Sequence, residues 1–427
     1  MLRLKNILLI YIVHIFFLSK ATELTISQPG MYLLGDAITS SPAGADNIIN
    51  ITSSDVVLDL GGYVISQANG TANVAGIVVN PNLSDIVIRN GTIRNVTGTG
   101  ISLVATDSRI RIANVIFENC ATSGLAGDGS LGALSDIELS QCRFYGCSTT
   151  GTAIISFRSV NRSSITDCVI DGTVNITSLN CIQLLACSSC RLNAITIQNV
   201  SSTGALNGVF VTAGSLYNSY SNSMITNCSG VPFNGFNSAD AVSIFNNCSV
   251  VGNRCVVISG LQPCFFLTGT NCLVTQCRAI GNSSSTGNFA GFATTNQNNI
   301  FLDCVSSGLA SSVVVNYSTA GAPQTIIGRC VGSNSAGTSL AIGLSADNIA
   351  TRCTVFDCLF SRNIGVSGIG VNDVVNTTGS LYYRNVAFNN STAQFSGTGF
   401  PQTVPASPAT QFLNAITQPW TNLAVAT

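Results

Sequence analysis

Asp85-Ile86-Val87-Ile88-Arg89-Asn90-Gly91 decides the fold, because its pattern returns along the chain. Arg109-Ile110-Arg111-Ile112 leads into Asn114-Val115, Asp136-Ile137-Glu138-Leu139 into Gln141-Cys142, and Asn299-Ile300-Phe301-Leu302 into Asp303-Cys304. Alternate apolar residues in an extended chain point to one side, so each stretch reads as a short strand with one buried face. Each strand ends on a polar residue followed by a small or apolar one. The series runs Asn90, Asn114, Gln141, Asp167, Asn199, Asn227, Asn247, Gln276, Asp303, Arg329, Asp357 and Asn385, in steps of 20 to 32 residues averaging about 27.

Several repeat architectures share such a period. The Leu-x-x-Leu-x-Leu consensus of leucine-rich repeats is absent, and the density of Gly, Ser, Thr, Asn, Val and Ile argues against helical repeats. Two or three short strands joined by turns fill the period. The expected fold class is therefore all-β: a single-chain right-handed parallel β-helix, a solenoid of about 12 to 14 coils at about 4.8 Å per coil. Stacked polar turn residues can then hydrogen-bond along the axis, while the residue after each points inward.

That inward position explains much of the cysteine content. Cys142, Cys168, Cys228, Cys248, Cys277, Cys304, Cys330 and Cys358 are expected to form a buried thiol stack. Bridges between adjacent coils are the alternative, since stacked Cα atoms fall near the lower end of the disulfide range. Cys142/Cys147, Cys187/Cys190, Cys264/Cys272 and Cys353/Cys358 are spaced to bridge within turns. Cys187-Ser-Ser-Cys190 has redox-motif spacing without the βαβ context such a motif needs.

The chain opens with Arg3 and Lys5, an apolar run from Ile7 to Leu18, and small residues to Thr22. This is the pattern of a signal peptide, assigned to 1–21. Segment 22–47 is read as an N-terminal cap, with a Pro29-Gly30 turn between short strands. Residues 48–395 are read as the β-helix, with loops projecting where the steps lengthen near 169–199 and 200–227. A Pro-rich tail, 396–427, carries the sole tryptophan, Trp420, and is expected to cap or flank the last coil. No further membrane span is expected, as no later apolar run reaches 18 residues.

From Thr22 onward the chain has 14 Arg against 18 Asp plus Glu, with no lysine and no histidine. A net charge of −4 without a basic run excludes a nucleic-acid footprint. Metal binding and general-base catalysis would have to proceed without imidazole. Solubility rests on Ser, Thr and Asn rather than on charge. Asn-x-Ser/Thr sequons, among them Asn50, Asn82, Asn95, Asn175, Asn282, Asn316, Asn376 and Asn390, become glycan acceptors only on a eukaryotic secretory route. Asn227 and Asn247 are poor acceptors if they form the turn ladder.

On Gln28-Pro-Gly-Met-Tyr-Leu-Leu34, Ile51-Thr-Ser-Ser-Asp-Val-Val-Leu-Asp-Leu-Gly-Gly62, Ile86-Val-Ile-Arg-Asn-Gly-Thr-Ile93 and the repeated Asn/Asp-Cys steps, the chain resembles the pectin-lyase-like superfamily. The resemblance implies a right-handed parallel β-helix reaching to about residue 390. It implies no single activity, because that superfamily includes polysaccharide lyases, glycoside hydrolases, epimerases, tailspikes and adhesins. Its lyases rely on basic side chains and calcium-binding acids, and its polygalacturonases on close aspartates, a histidine and an Arg-x-Lys pair. The chain after residue 22 has no lysine, no histidine and no Asp-Asp pair.

Carbohydrate cleavage needs two carboxyl groups about 5 to 9.5 Å apart across a glycosidic bond. Asp55, Asp59 and Asp85, with Arg89 as a uronate ligand, are the acidic group closest to repeat spacing. Each also fits a turn or a solvent-facing strand position, so no residue is assigned as catalytic, cofactor-binding or metal-binding. Tyr382-Tyr383, Phe289/Phe292 and Phe233/Phe236 are candidate sugar contacts, the phenylalanines fitting the core better. The expected function is a secreted or surface-exposed, non-catalytic scaffold on a cell or virion, binding a glycan or another surface protein. The enzymatic alternative is a polysaccharide lyase or glycoside hydrolase.

Overall fold

The computed structural model describes residues 15–18, 23–40, 47–68, 73–175, 177–255, 261–285, 287–319, 321–346, 353–373, 381–397, 404–405 and 423–425. Most of residues 1–21, read from the sequence as a signal peptide, lie outside them, as do the sequon at Asn376, Trp420 and the side chains of Tyr382 and Tyr383. The described residues form no helix and none long and apolar enough to cross a membrane.

The chain winds as a right-handed parallel β-helix. Each coil lays down three strands in order, illustrated by Leu206–Val211, Ser219–Ser221 and Met224–Thr226. Each pairs in parallel with its equivalents one coil below and above, giving three faces. The run of coils from Leu24–Ile26 to Val386–Phe388 falls within the expected 12 to 14.

Leu24–Ile26, Gly30–Leu34 and Ile38–Ser40, read from the sequence as a cap, pair in register with Ile49–Ile51, Val56–Asp59 and Val64–Gln67. They are built as a coil like those above. Ile15–Leu18 pairs with Met31–Leu34 at the open edge of this coil. At the far end, Val404–Pro405 pairs antiparallel with Ala393–Gly397, and Leu423–Val425 pairs with Val386–Phe388. Both described pieces of the tail thus cover strand edges that would otherwise be bare.

The corners are made by residues in the left-handed region. Between the second and third faces they are Asn90, Asn114, Gln141, Asp167, Ala194, Asn222, Asn247, Gln276, Asp303, Arg329, Asp357 and Arg384, with φ between 50° and 61°. The side chains form ladders: Asn114 Nδ2 donates to Asn90 Oδ1 at 3.1 Å, Asn247 Nδ2 to Asn222 Oδ1 at 2.9 Å, and Arg329 grips both oxygens of Asp303 at 2.7 and 2.8 Å.

This corrects the series drawn from the sequence. Asn199 and Asn227 stand at the next corner, between the third face and the first, with Asn95 and Asn119. The uneven steps of 32 and 20 residues came from jumping between two corners. Through Asp167, Ala194, Asn222 and Asn247 the true steps are 27, 28 and 25, and the lengthened steps do not require projecting loops. The last turn residue is Arg384, while Asn385 points inward and accepts a hydrogen bond from the Cys358 amide at 3.0 Å.

The interior is sorted by height. Lower coils are filled by pairs such as Ile86/Ile88, Ile110/Ile112 and Ile137/Leu139. Higher up, Phe236, Phe265, Phe292 and Tyr317 occupy one register and stack at ring separations of 5.1, 4.8 and 5.1 Å. Offset stacking of this kind adds about 0.5–1.5 kcal/mol per pair beyond area burial.

All 17 cysteines are buried. Cys142 and Cys168, then Cys248, Cys277, Cys304, Cys330 and Cys358, lie just inside the second-to-third corner, with Ile195 and Ser223 between the two groups. Cys228 belongs instead to the neighbouring corner, in the same column as Cys120 and Cys147 but separated from them by Thr173 and Val200. Thiols in the stack donate to carbonyls of the coil below, as Cys304 does to Val274 O at 3.5 Å. Cys142/Cys147 and Cys353/Cys358 sit at opposite ends of the strands Arg143–Tyr145 and Thr354–Phe356. Five extended residues span about 16 Å, so neither pair bridges a turn. Cys264 lies within Leu261–Leu267 and Cys272 beyond the following corner, Asn271. Burial pushes the Cys228 and Cys272 thiols up to about 12, which removes thiolate and with it reactivity.

Candidate functional site

The three acidic residues do not meet at one point: Asp55 and Asp85 are stacked one coil apart at one corner, and Asp59 stands away from both. Asp55 and Asp85 stand at the corner between the first and second faces, both in the left-handed region. Asp59 stands four residues along the strand at the opposite edge, about 13 Å away by strand rise. Arg89 lies in register above Asp59, and its Nε donates to Asp59 Oδ2 at 2.8 Å. Partial burial would raise the Asp59 carboxyl, but the Gly61 amide, Asn90 and Arg89 hold it below the usual range.

Arg109, one coil above Asp85, donates to both its oxygens at 2.7 and 2.6 Å. That pair, with Ser84, holds the Asp85 carboxyl down to about 2. Asp136 and Arg162 repeat the arrangement at 3.0 and 2.8 Å. These residues form a ladder of ion pairs along a convex edge. A carboxylate so strongly held in its charged form is a poor general acid. Among the described residues no group of three His, Cys, Asp or Glu is placed to hold a metal ion.

The phenylalanines weighed as sugar contacts also resolve. Phe233, Phe236, Phe289 and Phe292 are all buried in the core. The outward side of the same first-face strands carries other residues. From Leu179–Leu185, Leu206–Val211 and Phe233–Ser238, the outward row is Asn180, Asn207 and Asn234, in register at steps of 27 residues. A second outward row contains Gln183, Phe210, Asn237 and Phe266 on four successive coils. Leu206 and Val209, and Phe233 and Phe236, face the core, and the strict alternation is broken at Gly208 and Gly235 between them, so the part-exposed residues three apart share the outer side.

The amides form a directed chain. Asn207 Nδ2 donates to Asn180 Oδ1 at 2.8 Å, and Asn234 Nδ2 donates to Asn207 Oδ1 at 3.0 Å. Asn237 Nδ2 adds a second donor to Asn207 Oδ1 at 3.2 Å. The chain stops at Asn234, which is only 8% exposed and whose Oδ1 has no partner. Pro263 stands at the next position outward along that face, and its side chain has no donor. Phe210 and Phe266 remain half-buried two coils apart, about 9.6 Å along the axis. The strip therefore offers ring faces and amide groups and no charge, while Asn234 Oδ1 is shut away beneath it. The exact 27-residue spacing of three asparagines was present in the sequence but hidden among many others.

No protein-family model matches the chain, and no curated protein matches it. Solved structures do. The enzymatically active domain of bacteriophage CBA120 tailspike protein 2 is 16% identical, with a TM-score of 0.35, over 60% of this chain. The present chain spans 43% of the length of that structure. A tailspike mutant of E. coli bacteriophage HK620, in complex with a pentasaccharide, is 13% identical at a TM-score of 0.38, over 77% of this chain and 72% of that one. The A-module of the Azotobacter vinelandii mannuronan C-5 epimerase AlgE6 is 12% identical at 0.40, over 88% and 92%.

Proposed function

We propose that this protein is a secreted or surface-exposed scaffold, on a cell or a virion, that binds glycan on its first face without cleaving it. The observation that carries the reading is the strip of Asn180, Asn207, Asn234, Phe210 and Phe266, in which ring faces and amides share one flat wall. Rings stack on the apolar faces of sugars while amides both donate to and accept from hydroxyls. A rigid repeat holds these groups at fixed spacing, so little ordering cost falls on the protein side of the interface. The acids support a non-catalytic role, because Asp59 stands at the opposite edge of the face from Asp55 and Asp85, and Arg89 and Arg109 tie up Asp59 and Asp85.

The test is incubation of purified protein with neutral and acidic polysaccharides, with and without calcium. Retention, reducing ends and unsaturated products are followed together. Binding without product, weakened at least tenfold by Phe210→Ala, is the expected result. Turnover that disappears in Asp59→Asn or Asp85→Asn would establish the enzymatic alternative instead.

A further inference from the structure

We infer that this chain is exported by a route that carries out no N-linked glycosylation, because its fold seals four of its own acceptor tripeptides inside the solenoid. The inference takes from the proposed function only that the chain is exported, and it does not depend on glycan binding.

The four are Asn175, Asn282, Asn316 and Asn390, followed two residues later by Thr177, Ser284, Ser318 and Thr392. The first three have no exposed surface and the fourth has 2%. Glycosylation would join Nδ2 to the anomeric carbon of a donor sugar, release the sugar's lipid diphosphate carrier, and take one of the two Nδ2 protons. The wall already uses those protons. Asn175 Nδ2 donates to Ser148 O and to Gly151 O. Asn316 Nδ2 donates to Asn363 Oδ1 at 2.9 Å and to Ile342 O at 3.4 Å. Asn282 Nδ2 donates to Val250 O at 2.7 Å, and Asn390 Nδ2 to Phe360 O at 3.1 Å. An interior packed as densely as an organic crystal has no room for an oligosaccharide. A glycan on any of the four would hold its coil open.

Burial comes too late to shield these sites from an enzyme that modifies the chain as it emerges. Asn175, Asn282 and Asn390 close onto residues made 27, 32 and 30 positions earlier, so they need a finished coil beneath them. Asn316 has to wait for residues not yet made, Ile342 at 26 positions further on and Asn363 at 47. At about 5–20 residues per second, Asn316 stays open for about 2 to 9 s after its own synthesis. Asn82 and Asn95 are the opposite case. Both are exposed at corners, and the bonds from Thr106 and Asn119 use their Oδ1 atoms. A glycan on either can stand in water without disturbing a coil.

The experiment sends the full chain through a eukaryotic secretory pathway behind the host's own signal sequence, beside chain made in a bacterial cytoplasm. Glycopeptide mass spectrometry reads each site, and thermal melts read folding. Glycan is expected at Asn82 and Asn95, which shows that transfer took place. At the four buried sites it is expected only in retained, unfolded chain. The yield of folded, secreted protein should be at least about tenfold below that of Thr177→Ala/Ser284→Ala/Ser318→Ala/Thr392→Ala, which removes the four tripeptides and keeps the asparagines. If the melts show that this variant does not fold, blocking synthesis of the lipid-linked donor spares the same sites in the unaltered chain and takes its place. Secreted protein that melts like the bacterial material while carrying glycan at any of the four would overturn the inference. Equal yields from the two chains would overturn it too, because the four tripeptides then put no limit on the route. Either result leaves the glycan-binding reading untouched.

Discussion

The first face of the solenoid changes character at Pro263. Below it the outward row reads Asn180, Asn207, Asn234, and above it Ala290, Val315, Ile342, Ile369. The backbone is the same on both sides: one strand per coil, in parallel register. Yet Ala290, Val315 and Ile342 are almost wholly buried although they face outward, and they pack with Leu261, Phe266, Val313 and Leu340 as a second apolar cluster separate from the core. A β-helix does not dictate what its outer wall is for. A row of amides that satisfy one another can stand in water, and a row of branched apolar side chains has to be covered.

Charge placed on each row breaks the comparison most directly. Ile342→Asp puts a carboxylate where 3% of the residue is exposed, in an apolar cluster with Val315, Leu340 and Ile369. The expected loss is at least about 3 kcal/mol, from desolvation of an unpaired charge. Asn207→Asp loses a half-exposed amide donor and should cost about 1 kcal/mol. Urea midpoints on the two variants measure the difference. Equal losses would mean that the upper row is no drier than the lower one.

Within the lower coils, two carboxylates titrate in opposite senses. Asp107, in the lower coils, has no exposure, and burial pushes its carboxyl up to about 7, although the amides of Leu83 and Val104 pull it back. Its folded pKa lies above its unfolded value, so the folded state holds the extra proton. Stability is therefore greatest below about pH 4 and is lost as pH rises toward 7, by at most about 1.4 kcal/mol per unit. The paired Asp85 has the opposite sign, its contribution lost as pH falls toward about 2, and exposure keeps that contribution small. Unfolding midpoints should decline from pH 4 to 7 and flatten in Asp107→Asn. An unchanged slope in that variant would assign the titration elsewhere.

These contrasts bear on what the sequence made legible. The alternation in Asp85–Ile88 and its repeats was enough for the coil, because inward residues need only be apolar and small enough to stack. The corners were harder. Both the second-to-third and the third-to-first corner favour asparagine, since both need the left-handed conformation, and a polar-then-Cys pattern could not separate Asn199 from Ala194. Asp55, Asp59 and Asp85 were readable as acids, but their separation depended on which edge of one strand each occupied. The first-face strip was missed because a strand of mostly apolar letters, Leu206–Val211, hides that Asn207 and Phe210 face out while Val209 faces in. The glycan sequons show the same limit: Asn175, Asn282 and Asn316 are fully buried, which the tripeptide does not reveal.

The corner beside the strip sharpens the comparison at a smaller scale. At the coils of Phe210 and Asn237 it is occupied by Tyr217 and Val242, with φ of 58° and 60°, whereas the coils above use Asn271, Asn298 and Gln324. A β-branched residue in the left-handed region is strained, and Val242 is also 40% exposed. Val242→Asn copies the upper corner and should stabilise the protein by about 1 kcal/mol, read as a rise in the melting temperature. A fall would show that exposed Val242 makes contacts worth more than its strain.

The smallest effect tests the boundary itself. Pro263 ends the amide chain because its side chain offers no donor to Asn234 Oδ1. Pro263→Asn places an amide one coil further up, where its Nδ2 can donate to that oxygen as Asn234 donates to Asn207. The new hydrogen bond contributes about 1 kcal/mol. Against it stands the greater freedom that the unfolded chain gains when proline is removed, about 0.4–1 kcal/mol. The two nearly cancel, so the urea midpoint should move by less than about 0.5 kcal/mol in either direction. Glycan affinity should stay unchanged, because burial already closes Asn234 Oδ1 to a ligand. A fall in affinity at unchanged stability would show that the ladder's open end takes part in binding, beside the rings of Phe210 and Phe266.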